Sequence, residues 1–191
     1  PLRACGMPLP FAQIQIWDSD NNEVARGEVG EIVAKSDGQM VGFWENEQAT
    51  AERIIDGWVK TGDMGRMDQN GYLYVVDRAD DMIISGGYNI WPMELENIIA
   101  DHPEVIEVAV FGVPHEKWGE SPAAVCVVAS EHSLTEQGVI ELCAEKLGSY
   151  KKPGMVKFTV DPLPKSPVGK VMRKTLREPY WEGHDRRVSG S

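Results

Sequence analysis

Asp77-Arg78-Ala79-Asp80-Asp81-Met82-Ile83-Ile84-Ser85-Gly86-Gly87-Tyr88-Asn89-Ile90-Trp91-Pro92-Met93-Glu94-Leu95-Glu96 is the stretch where the chain changes character. Its first five residues carry three carboxylates and one arginine, a solvated run suited to a boundary between packed units. Ile83 and Ile84 then read as a short apolar strand. The adjacent Gly86 and Gly87 allow either a bulge or a close backbone approach that side chains would block. Pro92 opens a helix, because its missing N–H costs nothing in the first turn, and Met93, Leu95, Ile98 and Ile99 supply an apolar stripe.

Upstream, residues 11 to 76 read as β structure. Gln13, Gln15 and Trp17 alternate with Ile14 and Ile16 before a turn at Asp18-Ser19-Asp20-Asn21-Asn22. A second strand covers Glu31 to Ala34, and a third, Gly71 to Val76, is entered through the turn-former Asp68-Gln69-Asn70-Gly71. Asp18, Asp20 and Asn22 start like a calcium loop, but Glu23 and Val29 stand where that loop needs Gly and Glu. Downstream, strands are expected around Val105 to Gly112, Ala123 to Ala129 and Lys157 to Val160. Ser133 followed by Glu136 predicts a capping box for a helix through Leu147, closed near Gly148. A short helix is expected from Val171, ending before Pro179. Mixed strands and helices in this order give an α+β fold. A β-rich subdomain covers residues 1–77 and a small mixed α+β domain residues 78–191.

Composition narrows the function. The 191 residues carry a net charge of −11, which disfavours nonspecific binding to nucleic acid or anionic membrane. No stretch approaches the roughly 20 apolar residues of a membrane-spanning helix. Cys5, Cys126 and Cys143 form no CxxC pair, and reduced thiols in apolar runs fit a cytoplasmic protein. His102, His115, His132 and His184 lack ligand spacing, so no metal site is expected. The N-terminus has no signal-like segment and runs abruptly into a strand, as in a truncated chain. Nine of the 19 basic residues fall between Lys146 and Arg177, with Asp161 the only acid among them. That cluster is either a solvated face or a site for a small anion carrying phosphates.

Two further motifs bear on chemistry. In Gly57-Trp58-Val59-Lys60-Thr61-Gly62-Asp63, Thr-Gly-Asp reads as a tight turn. Its carboxylate either closes the turn or accepts two hydrogen bonds from a vicinal diol such as a ribose. In Pro162-Leu163-Pro164-Lys165-Ser166-Pro167-Val168-Gly169-Lys170-Val171-Met172-Arg173, Lys170 follows a loop with Pro and Gly and precedes a helix. It is an exposed loop lysine or a compact cation for an α-phosphate. The spacing is not that of a P-loop.

Together, and in this order, the three motifs resemble the adenylate-forming superfamily of acyl-CoA synthetases, aryl-CoA ligases, nonribosomal adenylation domains and luciferases. The resemblance runs from Gly6-Met7-Pro8-Leu9-Pro10 to Arg177. It implies that residues 1–77 are the last β-rich subdomain of an AMP-binding N-terminal domain and 78–191 the mobile C-terminal domain. It further implies that Asp63 and Arg78 hold the ribose of ATP and of the adenylate, that Asp80 is the hinge, and that Lys170 is the catalytic lysine. Ser85, Gly86 and Gly87 would line the pantetheine tunnel of coenzyme A (CoA). Trp118 and Tyr150 match positions near the CoA nucleotide, and Lys152 a basic residue beside its phosphates, although Trp118 equally suits a core and Lys152 a surface. Family enzymes have Gly where this chain has Asp77. ATP, CoA and a carboxylic acid are the implied substrates. Mg²⁺ is implied too, with ligands mainly in the N-terminal domain whose phosphate loop is not found here, so this piece alone is expected to be inactive. The Ser-Gly-Gly-Tyr-Asn-Ile-Trp-Pro sequence resembles CoA ligases more than nonribosomal adenylation domains. A non-catalytic binding module is the remaining alternative. Pro164-Lys165-x3-Gly169-Lys170 also resembles the site at which related ligases are modified by a protein acetyltransferase, which would act on Lys170.

Overall fold

In the computed structural model, which describes residues 4–184, strands β1 (Ala12–Trp17), β2 (Gly30–Ser36), β4 (Trp58–Met67) and β5 (Leu73–Arg78) form an antiparallel sheet. The two-residue β3 (Ile54–Ile55) extends it beside β4. The alternation of Ile14 and Ile16 with the glutamines pays off here. Ile16, Ile32 and Met67 are buried together, with Ile14, Val24, Leu73 and Val75 packed around them. The first turn is held by Asp18, whose Oδ1 accepts the N–H groups of Asp20 and Asn22. Those backbone donors lower its pKa, the Asn22 N–H first.

Two expectations for this region are corrected. Residues 11 to 76 are not β throughout: a helix, α1 (Glu47–Arg53), begins where the Asn46 side chain accepts the Ala49 N–H at 3.0 Å. Nor is Thr61-Gly62-Asp63 a turn. It lies inside β4 as a bulge, because Glu31 pairs with Met64 while Val33 pairs with Lys60. Gly62, at φ +75°, supplies the left-handed kink that the extra residues require.

The chain divides into two compact units, Pro1–Ala79 and Asp80–Ser191. The 3-10 turn Ala79–Asp81 spans the division. Pro1–Arg3, where the abrupt start was noted, and residues 185–191 lie outside the described residues.

The second unit is built on the hairpin of β8 (Val105–His115) and β9 (Gly119–Val128). Both remaining partners use the edge of β9 away from β8: β10 (Met155–Thr159) runs parallel to its later part, and the small hairpin β6 (Ile83–Ser85)–β7 (Tyr88–Ile90) pairs at its start, Ser85 with Gly119. Helices α2 (Pro92–Ala100) and α3 (Glu136–Leu147) cover one face, burying Leu95, Ile99, Val139 and Cys143 against Val110, Ala124, Cys126 and Val128. The residues one register over, Ala109 and Val127, face the other side and pack with Leu163, Val171 and Leu176, the last on helix α4 (Arg173–Trp181). The period of two along β8 and β9 thus feeds two cores.

The cap of α3 also needs correction. Thr135, not Ser133, is the N-cap, its Oγ1 accepting the Gly138 N–H at 3.0 Å. Ser133 instead donates its N–H and hydroxyl to Glu104. α4 continues through Pro179 rather than ending before it. Proline removes one N–H there, but Trp181 Nε1 donates to the Gly112 carbonyl at 2.9 Å and Tyr180 packs on Phe111, so tertiary contacts hold the last turn.

Candidate functional site

Asp63 and Arg78 come together because β4 and β5 place them opposite one another. Arg78 Nη1 donates to Asp63 Oδ1 at 2.9 Å, with both side chains partly open to solvent. The bulge is braced from below: Thr61 Oγ1 donates to the Ile32 carbonyl and accepts the Asp63 N–H, and the Gly62 N–H donates to Glu31. A Cβ at Gly62 would stand 3.3 Å from Arg53 Nη1 and 3.4 Å from Arg78 Nη2. Two guanidinium groups therefore flank the glycine beside the carboxylate, and Arg53 was not anticipated. Asp77 is 2% exposed, and its Oδ1 accepts the Arg78 N–H, so the Asp at this junction packs inward and steadies the Arg78 backbone.

Lys170 sits on a tight hairpin. Lys165 bridges to Val171, Ser166 N–H donates to the Lys170 carbonyl, and Gly169 at φ +79° closes the turn. Lys165 is tied to Glu107 at 2.7 Å. The Lys170 ammonium is exposed and has no salt-bridge partner among the described residues. The hairpin thus holds one lysine down and offers the other. Asp80 is exposed in the 3-10 turn.

Five of the remaining candidates converge. Ser85, Gly86, Trp118, Tyr150 and Lys152 line a cavity of about 310 Å³, together with Tyr88, His115 and Gly154 among others. Gly87 is adjacent in the chain but does not line it. Strand pairing of Ser85 with Gly119 brings the glycines to Trp118, and the Gly86 N–H donates to the Trp118 carbonyl at 2.9 Å. A Cβ at Gly86 would lie 2.8 Å from Trp118 Cε3, so only glycine lets the indole lie there. Trp118 is 46% exposed, which removes the core reading. Its turn is held by His115, whose Nδ1 accepts the Lys117 and Trp118 N–H groups. Lys117 Nζ lies 4.4 Å over the indole, and Tyr88 packs on Tyr150 with centroids 5.0 Å apart. Aromatic faces flanked by Lys117, Lys151 and Lys152 suit a ligand with a flat ring and anionic groups. Tyr88, His115 and Lys117 were not singled out from sequence, although Lys117 adjoins Trp118. The cavity residues and Lys170 lie in the second unit, Asp63 and Arg78 in the first.

Among the described residues, no group of three or more His, Cys, Asp or Glu side chains could hold a metal ion. No described helix is long and apolar enough to cross a membrane.

Residues 94–170 match the AMP-binding enzyme C-terminal domain. The chain is 43% identical over 173 residues to a long-chain-fatty-acid–CoA ligase of Escherichia coli O6:H1, covering 91% of this chain and 30% of that one. It is 42% identical to the long-chain-fatty-acid–CoA ligase FadD13 of Mycobacterium tuberculosis, covering 93% and 35%. The ATP-bound crystal structure of MatB from Rhodopseudomonas palustris superposes with a TM-score of 0.89 at 34% identity, over 95% of this chain and 36% of that one. The chain spans about a third of the length of these relatives.

Proposed function

We infer that the chain belongs to the adenylate-forming, AMP-binding enzymes, whose C-terminal domain it matches at residues 94–170. On that footing we propose that it supplies the hinge, the catalytic lysine and the CoA-tunnel face of an ATP-dependent carboxylate–CoA ligase. Residues 1–77 act as the last subdomain of the AMP-binding domain and 78–191 as the mobile lid.

In the first half-reaction a carboxylate oxygen bonds to the α-phosphorus of ATP and pyrophosphate departs, leaving an acyl-adenylate. Asp63 and Arg78 hold the ribose, the carboxylate by accepting from the diol and the guanidinium by orienting the carboxylate. Lys170 brings its ammonium to the α-phosphate and carboxylate, where negative charge crowds as the bond forms. Its lack of a partner among the described residues supports this role, since a committed lysine would first have to break an ion pair. In the second half-reaction rotation about Asp80 withdraws Lys170 and presents the cavity face. The CoA sulfur attacks the acyl carbonyl carbon, AMP leaves, and the thiol proton goes to solvent. Ser85, Gly86 and Gly87 leave room for the pantetheine arm, while Trp118 and Tyr150 take the nucleotide and Lys152 its phosphates. Mg²⁺ is expected to be held by the rest of the ligase, and no step here is routed through it.

The observation that carries the reading is the convergence of Ser85, Gly86, Trp118, Tyr150 and Lys152, from three separate segments, on one cavity. That these relatives are long-chain-fatty-acid–CoA ligases favours a CoA thioester as product and fatty acids as the acid class. A cytoplasmic location fits the thiols of Cys126 and Cys143, which are buried and unpaired. Lys170, exposed on its hairpin, is also open to a protein acetyltransferase, whose product would lack the charge that the first half-reaction needs.

The test uses the full-length ligase with a panel of carboxylic acids. Acyl-CoA and AMP should form together, and Asp80→Pro should slow acyl-CoA release more than ATP–pyrophosphate exchange. ATP-dependent acid activation with no CoA product would instead assign the chain to another adenylate-forming branch.

A further inference from the structure

Glu94 and Glu96 lie two residues apart on α2, about 200° around the helix. Leu95, between them, is fully buried, so the two carboxylates leave α2 on opposite shoulders of the same anchored turn. Each reaches a different functional segment. Glu94 Oε2 pairs with Lys151 Nζ at 2.5 Å, inside the segment that carries Tyr150 and Lys152. Glu96 grips Arg173 through two parallel bonds, Nε to Oε1 at 3.0 Å and Nη2 to Oε2 at 2.7 Å. Arg173 stands three residues after Lys170, and its Nη1 also donates to Asp81 Oδ2 at 2.9 Å, next to the hinge residue. Both glutamates and both cations are largely shielded, where such bonds are stronger than at the open surface.

Local physics does not explain Arg173. It opens α4 with a cation at the positive end of the helix dipole, with no acid in the first turn and no side-chain cap. A residue placed against the interest of its own helix is accounted for by what it binds elsewhere. The fork also leaves Glu96 Oε1 accepting the Val110 N–H at 2.8 Å, so the clamp is tied to the central hairpin as well. The apolar anchor of this region is small, with Ala109, Val127 and Leu163 its buried members.

We infer that the Glu94-Leu95-Glu96 turn is a shared positioning device: Glu96, through Arg173, sets the Lys170 hairpin for acid activation, and Glu94, through Lys151, sets the Tyr150–Lys152 wall for CoA. This rests on the assignment of Lys170 and of the cavity made above. None of the four residues is catalytic; each acts through another. Misplacing a reacting group by about 1 Å costs on the order of 10²-fold, so each link should affect its own half-reaction.

The experiment compares Glu94→Gln, Glu96→Gln and Arg173→Lys in the full-length ligase. Glutamine keeps the shape and the Val110 bond while removing charge, and lysine keeps charge without the fork. ATP–pyrophosphate exchange reads adenylation, and conversion of supplied acyl-adenylate reads the CoA step. Glu96→Gln and Arg173→Lys should lower exchange roughly 10- to 100-fold and leave the CoA step within about threefold. Glu94→Gln should do the reverse, chiefly as a raised KM for CoA. In this chain by itself, hydrogen exchange should quicken at the Ser166, Gly169 and Met172 amides in Glu96→Gln and at the Lys151 and Gly154 amides in Glu94→Gln. Loss of both half-reactions together in either glutamine variant, tracking a lowered melting temperature, overturns the inference, as does loss of neither. A Lys170→Ala control separates the two readings. Should it spare adenylation, the lysine assignment fails, and the positioning claim then stands or falls on whether amide exchange segregates between the two segments.

Discussion

Gly86 and Gly87 offer a matched pair of substitutions. Both have positive φ, +58° and +86°, so alanine at either meets the left-handed backbone cost of about 1–2 kcal/mol. They differ in surroundings. A Cβ at Gly87 meets nothing within 4 Å, whereas at Gly86 it lies 2.8 Å from Trp118 Cε3 and 3.3 Å from Cζ3. Ordinary carbon contacts begin at about 3.5 Å, so Gly86→Ala must drive the indole back by more than half an ångström. Trp118 is 46% exposed and can swing outward rather than compress a core, so the extra cost falls on the cavity wall and not on stability. Both variants should melt several degrees lower, and by similar amounts. Gly86→Ala should lose about tenfold more in kcat/KM for CoA than Gly87→Ala, or about 1.4 kcal/mol, with ATP–pyrophosphate exchange alike in the two. The assay is thioester formation from supplied acyl-adenylate across a CoA titration. Equal CoA kinetics in the two variants would refute the idea that this glycine seats Trp118 against the ligand.

Asp63→Ala should raise the KM for ATP about tenfold while costing less than about 1 kcal/mol of stability, because its pair with Arg78 is solvent-screened; a large drop in melting temperature with unchanged ATP kinetics would contradict this. Leu95→Ala, at a fully buried site, should destabilise the second unit by about 2–5 kcal/mol in a denaturant titration. A loss under about 1 kcal/mol would mean that α2 is not anchored as described. Burial pushes the Cys126 thiol up to about 12 and Cys143 to about 11, from an ordinary 9.0. Their unfolded forms ionise first as pH rises, so this contribution to stability is complete below about pH 9 and is lost as pH climbs toward 11 to 12. Ellman's reagent should find one fast thiol, the exposed Cys5, in the native protein and three in denaturant; three fast native thiols would contradict the burial.

Much of the second unit was legible because its signals are local. The Pro92 helix start, the apolar runs of β8 and β9 and the glycine closing α3 each depend on neighbours in sequence, and Gly148 indeed stands at φ +91° after Leu147. Misreadings arose where two local signals competed or a distant partner decided. Ser133 and Thr135 both suit an N-cap, and Glu104, 29 residues away, claims the serine. Thr61-Gly62-Asp63 has turn chemistry, yet pairing with β2 absorbs it as a bulge. Asn46 was a readable cap, but the short helix after it lacks a buried stripe. The glycines, Trp118 and Lys170 could be marked from motif order alone. The Glu94–Lys151 and Glu96–Arg173 links could not, because each joins segments more than fifty residues apart through side chains with no local pattern.

Lys170→Ala in the intact ligase, with both half-reactions followed separately, bears most directly on the whole account. On the proposed reading the ammonium meets charge only while the carboxylate joins phosphorus, so ATP–pyrophosphate exchange should fall by at least about 10²-fold while thioester formation from supplied acyl-adenylate continues near its normal rate. Undiminished exchange, or an equal loss in both steps, would contradict it.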